Sequence, residues 1–367
     1  MKKKLIIFMP SIEGGGVEKN LFIILNYLSS KINNTHLITS TNHYNYKLKN
    51  TKIINPKFKF KRIHGRKIRY FFCLIELIKL IFKNKGNITV LAFQANIYST
   101  IICKIFNVKI ITRSNSSPSG WSNNIFKKLA YKFLLQLPNK IIVNSNDFKN
   151  ELKNKFSVKS QCIFNPLNIN EVRKKSNKKV NLNFFEKNRN IIKIIFVGRF
   201  VDQKDPMTLL RALLILNTKL NFQALIIGRG VLKKNMRNFI KEHKLEKKIR
   251  LLNFQNNPYK YIVKSDLLVL TSKFEGLPNV LLEAICLNKF VISTNCPTGP
   301  REILDNNKGG ILFNIGDSKS LANNIIFFSK NKKKCNSKLV FAKKRLYRFD
   351  YDNNLNKYLV LVKKYLN

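Results

Sequence analysis

Two glutamates stand eight positions apart in SKFEGLPNVLLEAICLNKFVIST, residues 272–294, within a chain holding 69 Lys+Arg against 19 Asp+Glu. A Gly-Leu-Pro turn follows Glu275, and an apolar run carries Glu283. Proline is favoured in the first turn of a helix, so Pro278 predicts a helix over 279–287. Glu275 then sits at the mouth of that helix and Glu283 about one turn inside it. Each carboxylate can accept hydrogen bonds from sugar hydroxyls. Retaining glycosidases also work with two carboxylates, one as acid and one as nucleophile. The pair is compatible with either chemistry, and its place at a helix start beside expected phosphate-binding loops favours the first.

The first such loop lies in FVGRFVDQKDPMTLL, residues 196–210. A strand ends at Val197, Gly198 turns the chain, and Pro206 opens a helix. Arg199 and Lys204 flank the loop between them. Arginine clamps phosphate oxygens with paired hydrogen bonds, and lysine adds a point charge. Cations are common in so basic a chain, so position at the carboxyl edge of a sheet carries the expectation, not residue type. The second loop is EGGGVEKN, residues 13–20, after the first strand. Gly15 and Gly16 permit close backbone approach, and the following helix offers unpaired N–H groups to an anion. A plain turn accounts for the glycines equally well. The GxGxxG spacing is absent, which weakens a dehydrogenase reading. In TRSNSSPSGW, residues 112–121, Arg113 and Asn115 are candidates for acceptor or diphosphate contact; the alternative is a polar loop over a buried Trp121.

Alternating strands and helices must position these loops. In the first half the apolar runs at 5–9, 35–39, 88–93, 108–112 and 140–144 read as strands, with helical patterns at 17–28, 96–106 and 124–137. A charged, Asn-rich stretch at 169–190 interrupts the pattern as a connection with some local helix. The alternation resumes with strands at 191–198, 222–228, 249–254, 266–271 and 290–294. Helices are expected near 206–216, 231–243, 257–264 and 279–287. Repeated strand–helix units mean mostly parallel sheets, and 367 residues suffice for two domains. The expected architecture is α/β, with two Rossmann-like domains facing each other across a cleft. Residues 1–170 form the first and 171–349 the second, with a C-terminal amphipathic helix, about 350–367, packing back on the first. Ligands of such sheets bind at the carboxyl ends of the strands.

A formal charge of +50 points to a polyanionic partner: nucleic acid, an anionic membrane face or phosphorylated substrates. Lysine is spread along the whole chain, alongside Asn and Ile, so part of the charge reads as compositional background. The remainder favours an anionic membrane surface. A nucleic-acid-binding protein would show stacking aromatics on one basic face, and no such module is evident. MKKKLIIFMPS is too short in its apolar part for a signal peptide, and Pro10 interrupts it. The cysteines at 73, 103, 162, 286, 296 and 335 form no CxxC or metal-ligand pattern, so reduced thiols and a cytoplasmic location are expected. No run reaches 18 apolar residues. RYFFCLIELIKLIFK, residues 69–83, reads either as a buried amphipathic helix or as one lying in a headgroup layer. NIFKKLAYKFLL, with basic and apolar residues on opposite sides, allows the same two readings.

FEGLPNVLLE resembles the E-x7-E element of family 4 glycosyltransferases of the GT-B fold. NPYKYIVKSDLLVLTSKFEGLPNVLLEAICLNKFVISTNCPTGPREIL, residues 257–304, is similar to their C-terminal motif region. VGRFVDQKD resembles their G-R-x-x-x-Q-K loop, and EGGGVEKNL their N-terminal glycine loop. The likeness runs nearly the full chain and looks closest to bacterial enzymes that extend glycans on polyprenyl diphosphate carriers. It implies that Glu283 holds the donor ribose and Glu275 the donor sugar. The amides of Gly276, Leu277, Pro278 (ring in place of N–H), Asn279 and Val280 would line the donor. Arg199 and Lys204 would neutralise its diphosphate, approached by Gly15 and Gly16 from the other domain. It also implies retention of anomeric configuration, a nucleotide-sugar substrate such as a UDP-sugar, no cofactor and no metal.

Departures from the pattern bear on the acceptor side. Many relatives carry glycine where Asn253 and Asn288 stand, an acidic residue at Arg229, and a histidine in the N-terminal half. Here histidines 36, 43, 64 and 243 fall elsewhere, and AFQANIYS offers Gln94 and Asn96. The function expected is a retaining hexosyltransferase acting on a lipid-linked or oligosaccharide acceptor in capsule, O-antigen or lipopolysaccharide synthesis. It would be peripheral at the inner face of the cytoplasmic membrane, without a nucleic-acid partner. The alternatives are the nucleic-acid-binding protein and a sugar-nucleotide epimerase of the same fold.

Overall fold

The computed structural model describes residues 3–41, 48–58, 60, 65–115, 125–180, 184–185 and 190–366, side chains 125–128 excepted. The chain divides into two compact units, one of residues 1–166 and 351–367, the other of 167–350.

The first unit is a seven-stranded parallel sheet in the order β3-β2-β1-β4-β5-β6-β7. Its elements are β1 (Lys4–Phe8), α1 (Gly16–Lys31), β2 (Thr35–Ile38), β3 (Lys52–Ile54), α2 (Arg66–Lys83) and β4 (Ile88–Ala92). Then follow α3 (Asn96–Ile105), β5 (Lys109–Arg113), α4 (Ile125–Leu134), β6 (Lys140–Val143), α5 (Asn146–Phe156) and β7 (Gln161–Cys162). Helices cover both faces, so central strands are continuous apolar runs. Side chains alternate across the sheet: Leu5 and Ile7 enter a core with α1, whereas Ile6 and Phe8 enter one with Cys73, Leu77 and Ile81 of α2.

The second unit repeats the plan with six parallel strands, in the order β10-β9-β8-β11-β12-β13. It contains α6 (Ile169–Ser176), β8 (Ile192–Val197), α7 (Pro206–Leu216), β9 (Phe222–Ile227), α8 (Lys233–Glu242), β10 (Ile249–Leu252) and α9 (Tyr259–Ile262). β11 (Leu267–Leu270), α10 (Asn279–Cys286), β12 (Phe290–Thr294), α11 (Pro300–Ile303), β13 (Ile311–Phe313), α12 (Ser318–Lys330) and α13 (Lys332–Lys344) complete it.

The chain then returns to the first unit as α14 (Tyr351–Leu366). Its Leu355, Tyr358, Leu361 and Val362 join the core beneath α1. Thr89 Oγ1 donates to Tyr365 O at 2.9 Å, tying the helix end to β4. All six cysteines are free thiols. No described helix is long and apolar enough to cross a membrane.

Candidate active site

β8 and β11 are neighbours in the second sheet, and the chain leaves them in opposite directions, to β9 on one side and β12 on the other. Such a reversal opens a crevice outside the carboxyl ends of the two strands. The segments that emerge there are the ones carrying Arg199 and Lys204 (after β8) and Glu275 (after β11). They are laced together. Thr271 Oγ1 donates to Lys204 O at 2.9 Å, Lys273 N to Gln203 O at 2.8 Å, and Gln203 Nε2 to Phe274 O at 3.0 Å.

Within this lacing the Lys204 ammonium pairs with Glu275 Oε1, which also accepts the Ser272 hydroxyl at 2.6 Å. Glu275 is 6% exposed and the Lys204 side chain 16%, so the pair sits in a poorly solvated wall. The Ser272 hydroxyl gives the Glu275 carboxylate a further hydrogen bond, the kind of support that a poorly solvated ion pair needs. Arg199 is exposed at the same strand end, and its NH2 donates to Gln203 Oε1 at 2.7 Å.

Glycines hold the Arg199 loop in place. Phe200 N donates to Arg229 O at 2.8 Å, and Leu232 N to Phe200 O at 3.0 Å. A Cβ on Gly228 would fall 1.9 Å from Gly198 O, and one on Gly230 2.2 Å from Phe200 O. The two backbones therefore touch, with Phe200 fully buried beneath. Arg229 turns outward and its guanidinium lies 4.8 Å from the Phe254 ring.

The turn after Glu275 is backed from behind. Thr298 Oγ1 donates to Glu275 O at 2.5 Å, and Gly299, with φ +90°, lies so close that a Cβ would meet Gly276 O at 2.4 Å. Gly276, Leu277 and Pro278 are buried, and Asn279 and Val280 half-buried, at the start of α10. Its N-cap residue, Pro278, makes no side-chain cap hydrogen bond. The helix directs its positive end toward the Glu275 turn. Glu283, also 6% exposed, accepts the Tyr259 hydroxyl at 3.2 Å. Burial and the nearby Glu275 charge push the Cys296 thiol up to about 12. Asn288 ends the helix region at φ 59°, the left-handed geometry that suits asparagine; Asn253 is not among the left-handed residues.

The remaining sequence candidates lie in the first unit. Gly14 takes φ 80°, Gly15 is extended, and Gly16 opens α1. Glu18 already lies at that helix start: its Oε1 accepts Glu13 N at 3.4 Å, and a Cβ on Gly15 would come within 3.0 Å of its Oε2. Arg113 has no exposed surface. Its Nε donates to Tyr358 Oη at 2.8 Å and its NH2 to Asn165 Oδ1 at 2.6 Å. Asn115 Nδ2 donates to Phe93 O at 3.0 Å, and Gln94 Oε1 accepts Ser11 N at 2.9 Å. Both Arg113 and Asn115 thus bond within the unit, and Trp121 lies outside the described residues. Sequence reading missed Ser272, Thr298 and Tyr259. Only Ser272, three residues before Glu275, left a local sign. Among the described residues no three His, Cys, Asp or Glu side chains gather as a metal-ligand group.

Residues 177–345 match the family model described as Glycosyl transferases group 1. Residues 177–345 are thus similar to a group 1 glycosyl transferase domain. This domain spans the whole Arg199–Glu283 constellation. Over 340 residues the chain is 29% identical to the N-acetylgalactosamine-N,N'-diacetylbacillosaminyl-diphospho-undecaprenol 4-alpha-N-acetylgalactosaminyltransferase of Campylobacter jejuni, covering 87% of this chain and 88% of that protein. It is 28% identical over 255 residues to the capsular polysaccharide biosynthesis glycosyltransferase CapH of Staphylococcus aureus, 64% of this chain and 66% of that one. Among solved structures, Anabaena Alr3699/HepE in complex with UDP-glucose superposes with TM-score 0.79 at 16% identity, over 99% of this chain and all (100%) of that one. That likeness shows the GT-B fold for this chain.

Proposed function

We propose that the protein is a group 1 glycosyl transferase that moves a hexose from a nucleotide sugar, a UDP-sugar, to a glycan carried on a polyprenyl diphosphate, with retention of configuration. The carrying observation is the buried Lys204–Glu275 pair beside Arg199 at the switch point of the second sheet. Leaving-group chemistry explains why cations belong there. Cleavage of the sugar–phosphate bond builds negative charge on the departing diphosphate and positive charge on the sugar. Fixed cations and a helix start placed at the diphosphate stabilise that charge without reorganising during the reaction. Arg199 and Lys204 take this role, with the amides of Gly276, Leu277, Asn279 and Val280. Glu275, held by Ser272 and Lys204, keeps a carboxylate for the donor sugar, and Glu283 accepts the ribose hydroxyls.

No general base is assigned; the leaving phosphate accepts the acceptor proton on the same face. The cations in this reading meet the diphosphate charge, so transfer proceeds in the presence of a chelator. Support for the acceptor comes from the named Campylobacter relative, which acts on a diphospho-undecaprenol glycan. At the α1 start, the Glu18 carboxylate beside Gly15 opposes an anion. A lipid-linked acceptor places the reaction at the cytoplasmic face of a membrane.

The test is a donor screen against polyprenyl-diphosphate glycans, with the product's anomeric centre read by NMR. Transfer from one UDP-sugar with retained configuration is expected, undiminished by chelator. Inversion would overturn the mechanism, and tight RNA binding without any sugar-nucleotide turnover would overturn the enzyme reading.

A further inference from the structure

Helix α2 carries two apolar faces where one suffices. Cys73, Leu77 and Ile81 point into the sheet core, together with Cys103 of α3. A second stripe, Ile68, Phe71, Ile75, Ile78 and Phe82, recurs at intervals of three and four residues and so occupies a different side of the same helix. Phe71 is 61% exposed and Phe82 64%. Helix α3 continues the surface. Its Tyr98 and Ile101 are exposed, and Ile105 is 70% exposed, while the Phe82 and Phe106 rings meet at 5.1 Å where the helices join. Contiguous exposed apolar residues of this kind mark an interaction surface.

Charge says what kind. Exposed Lys67, Lys83 and Lys85 stand at the ends of α2, and exposed Lys104 lies on α3 between the apolar residues. Glu76, the acid of α2, is taken up by Lys79 at 2.8 Å. A second copy of this chain would bring +50 against +50 and lysine against lysine. An anionic leaflet instead offers an apolar layer for the stripe and negative headgroups for its rim.

We infer that the α2–α3 face of the first unit is a membrane-docking surface for an anionic bilayer. Phe71, Phe82 and Ile105 enter the acyl boundary, and the flanking lysines meet phosphate headgroups, each contributing about fivefold in partitioning. The inference extends the reading of a lipid-linked acceptor but stands on residues far in sequence from the Arg199–Glu283 constellation, so the two fail separately.

Flotation of the full chain with two kinds of vesicle tests it: phosphatidylcholine alone, and phosphatidylcholine with phosphatidylglycerol. The wild type is expected to float with the anionic vesicles only. The variant F71S/F82S/I105S loses about a hundredfold or more in partitioning, and K67Q/K83Q/K104Q loses the preference for phosphatidylglycerol. UDP binding, measured on the same samples, stays unchanged in both. Wild type that ignores anionic vesicles, or an apolar variant that floats as well as wild type, overturns the surface. So does a wild-type dimer that the apolar variant dissolves. Failure of the wild type to bind UDP would instead sink the functional reading and leave the surface standing.

Discussion

Lys204 and Glu275 each hold the other in an environment that neither would occupy alone. Glu275 has Lys204 and Ser272 on one oxygen, and little water reaches it. Replacing Lys204 with Met leaves that carboxylate without its cation, a loss of about 1–3 kcal/mol for a nearly buried charge-assisted bond. A fall of several degrees in the melting temperature is expected, together with a rate loss on the order of 10²–10³ from the missing diphosphate cation. Glu275→Gln separates the two effects. The amide oxygen still accepts the Ser272 hydroxyl, so stability changes less than in K204M while transfer drops. Unchanged turnover in E275Q would remove Glu275 from the chemistry. A different residue contributes to acid sensitivity. Burial, then the charges of Lys4 and Lys52, lower the His36 pKa below its ordinary 6.5. An unfolded chain takes up a proton below that value where the folded chain does not. Stability is therefore lost as pH falls from 6.5 toward the folded pKa. Urea melts at neutral pH and at about pH 5 should show a smaller difference in His36→Gln than in wild type; equal differences would exclude His36 as a source.

At the scale of elements, the central strands were readable because a strand buried on both faces is a continuous apolar run. β4, β8, β9 and β11 all fall within the expected windows, and β1 is shifted by one residue toward the N-terminus. β3, β7 and β13 escaped, and each is an edge strand of two or three residues. Such strands carry no run long enough to stand out. Local signals also placed the Glu275 turn and the helix behind it. What the sequence could not display is contact between distant loops. Nothing in the GRG stretch at 228–230 names its partners, yet Gly228 lies against Gly198 O and Gly230 against Phe200 O. These glycines fix where Arg199 stands. Gly228→Ala is expected to destabilise the second unit by at least about 1–3 kcal/mol, since no side chain can retreat to relieve a backbone contact. Differential scanning calorimetry would show it; an unshifted transition would mean that the loops are not held together. By the same reasoning Gly299→Ala, strained by its φ of +90° as well, should weaken UDP binding by displacing the turn at Gly276.

At the scale of the whole molecule, the last helix belongs to the first unit although the second precedes it in the chain. Leu355, Tyr358, Leu361 and Val362 fill one face of the first sheet, and Tyr358 accepts a hydrogen bond from the buried Arg113. Removing residues 351–367 would expose that face and leave a buried guanidinium short of a partner. The truncated chain should lose the first unit's melting transition and keep the second's. Simultaneous loss of both would show that the units do not fold independently.

The central claim is that the second unit's switch point binds a nucleoside diphosphate through Arg199 and Lys204. Calorimetric titration of UDP into wild type and into R199A/K204A tests it most directly. Saturable binding by wild type, weakened on the order of a hundredfold or more in the double variant, is predicted. No UDP binding by wild type, or equal affinity in the two proteins, would contradict it.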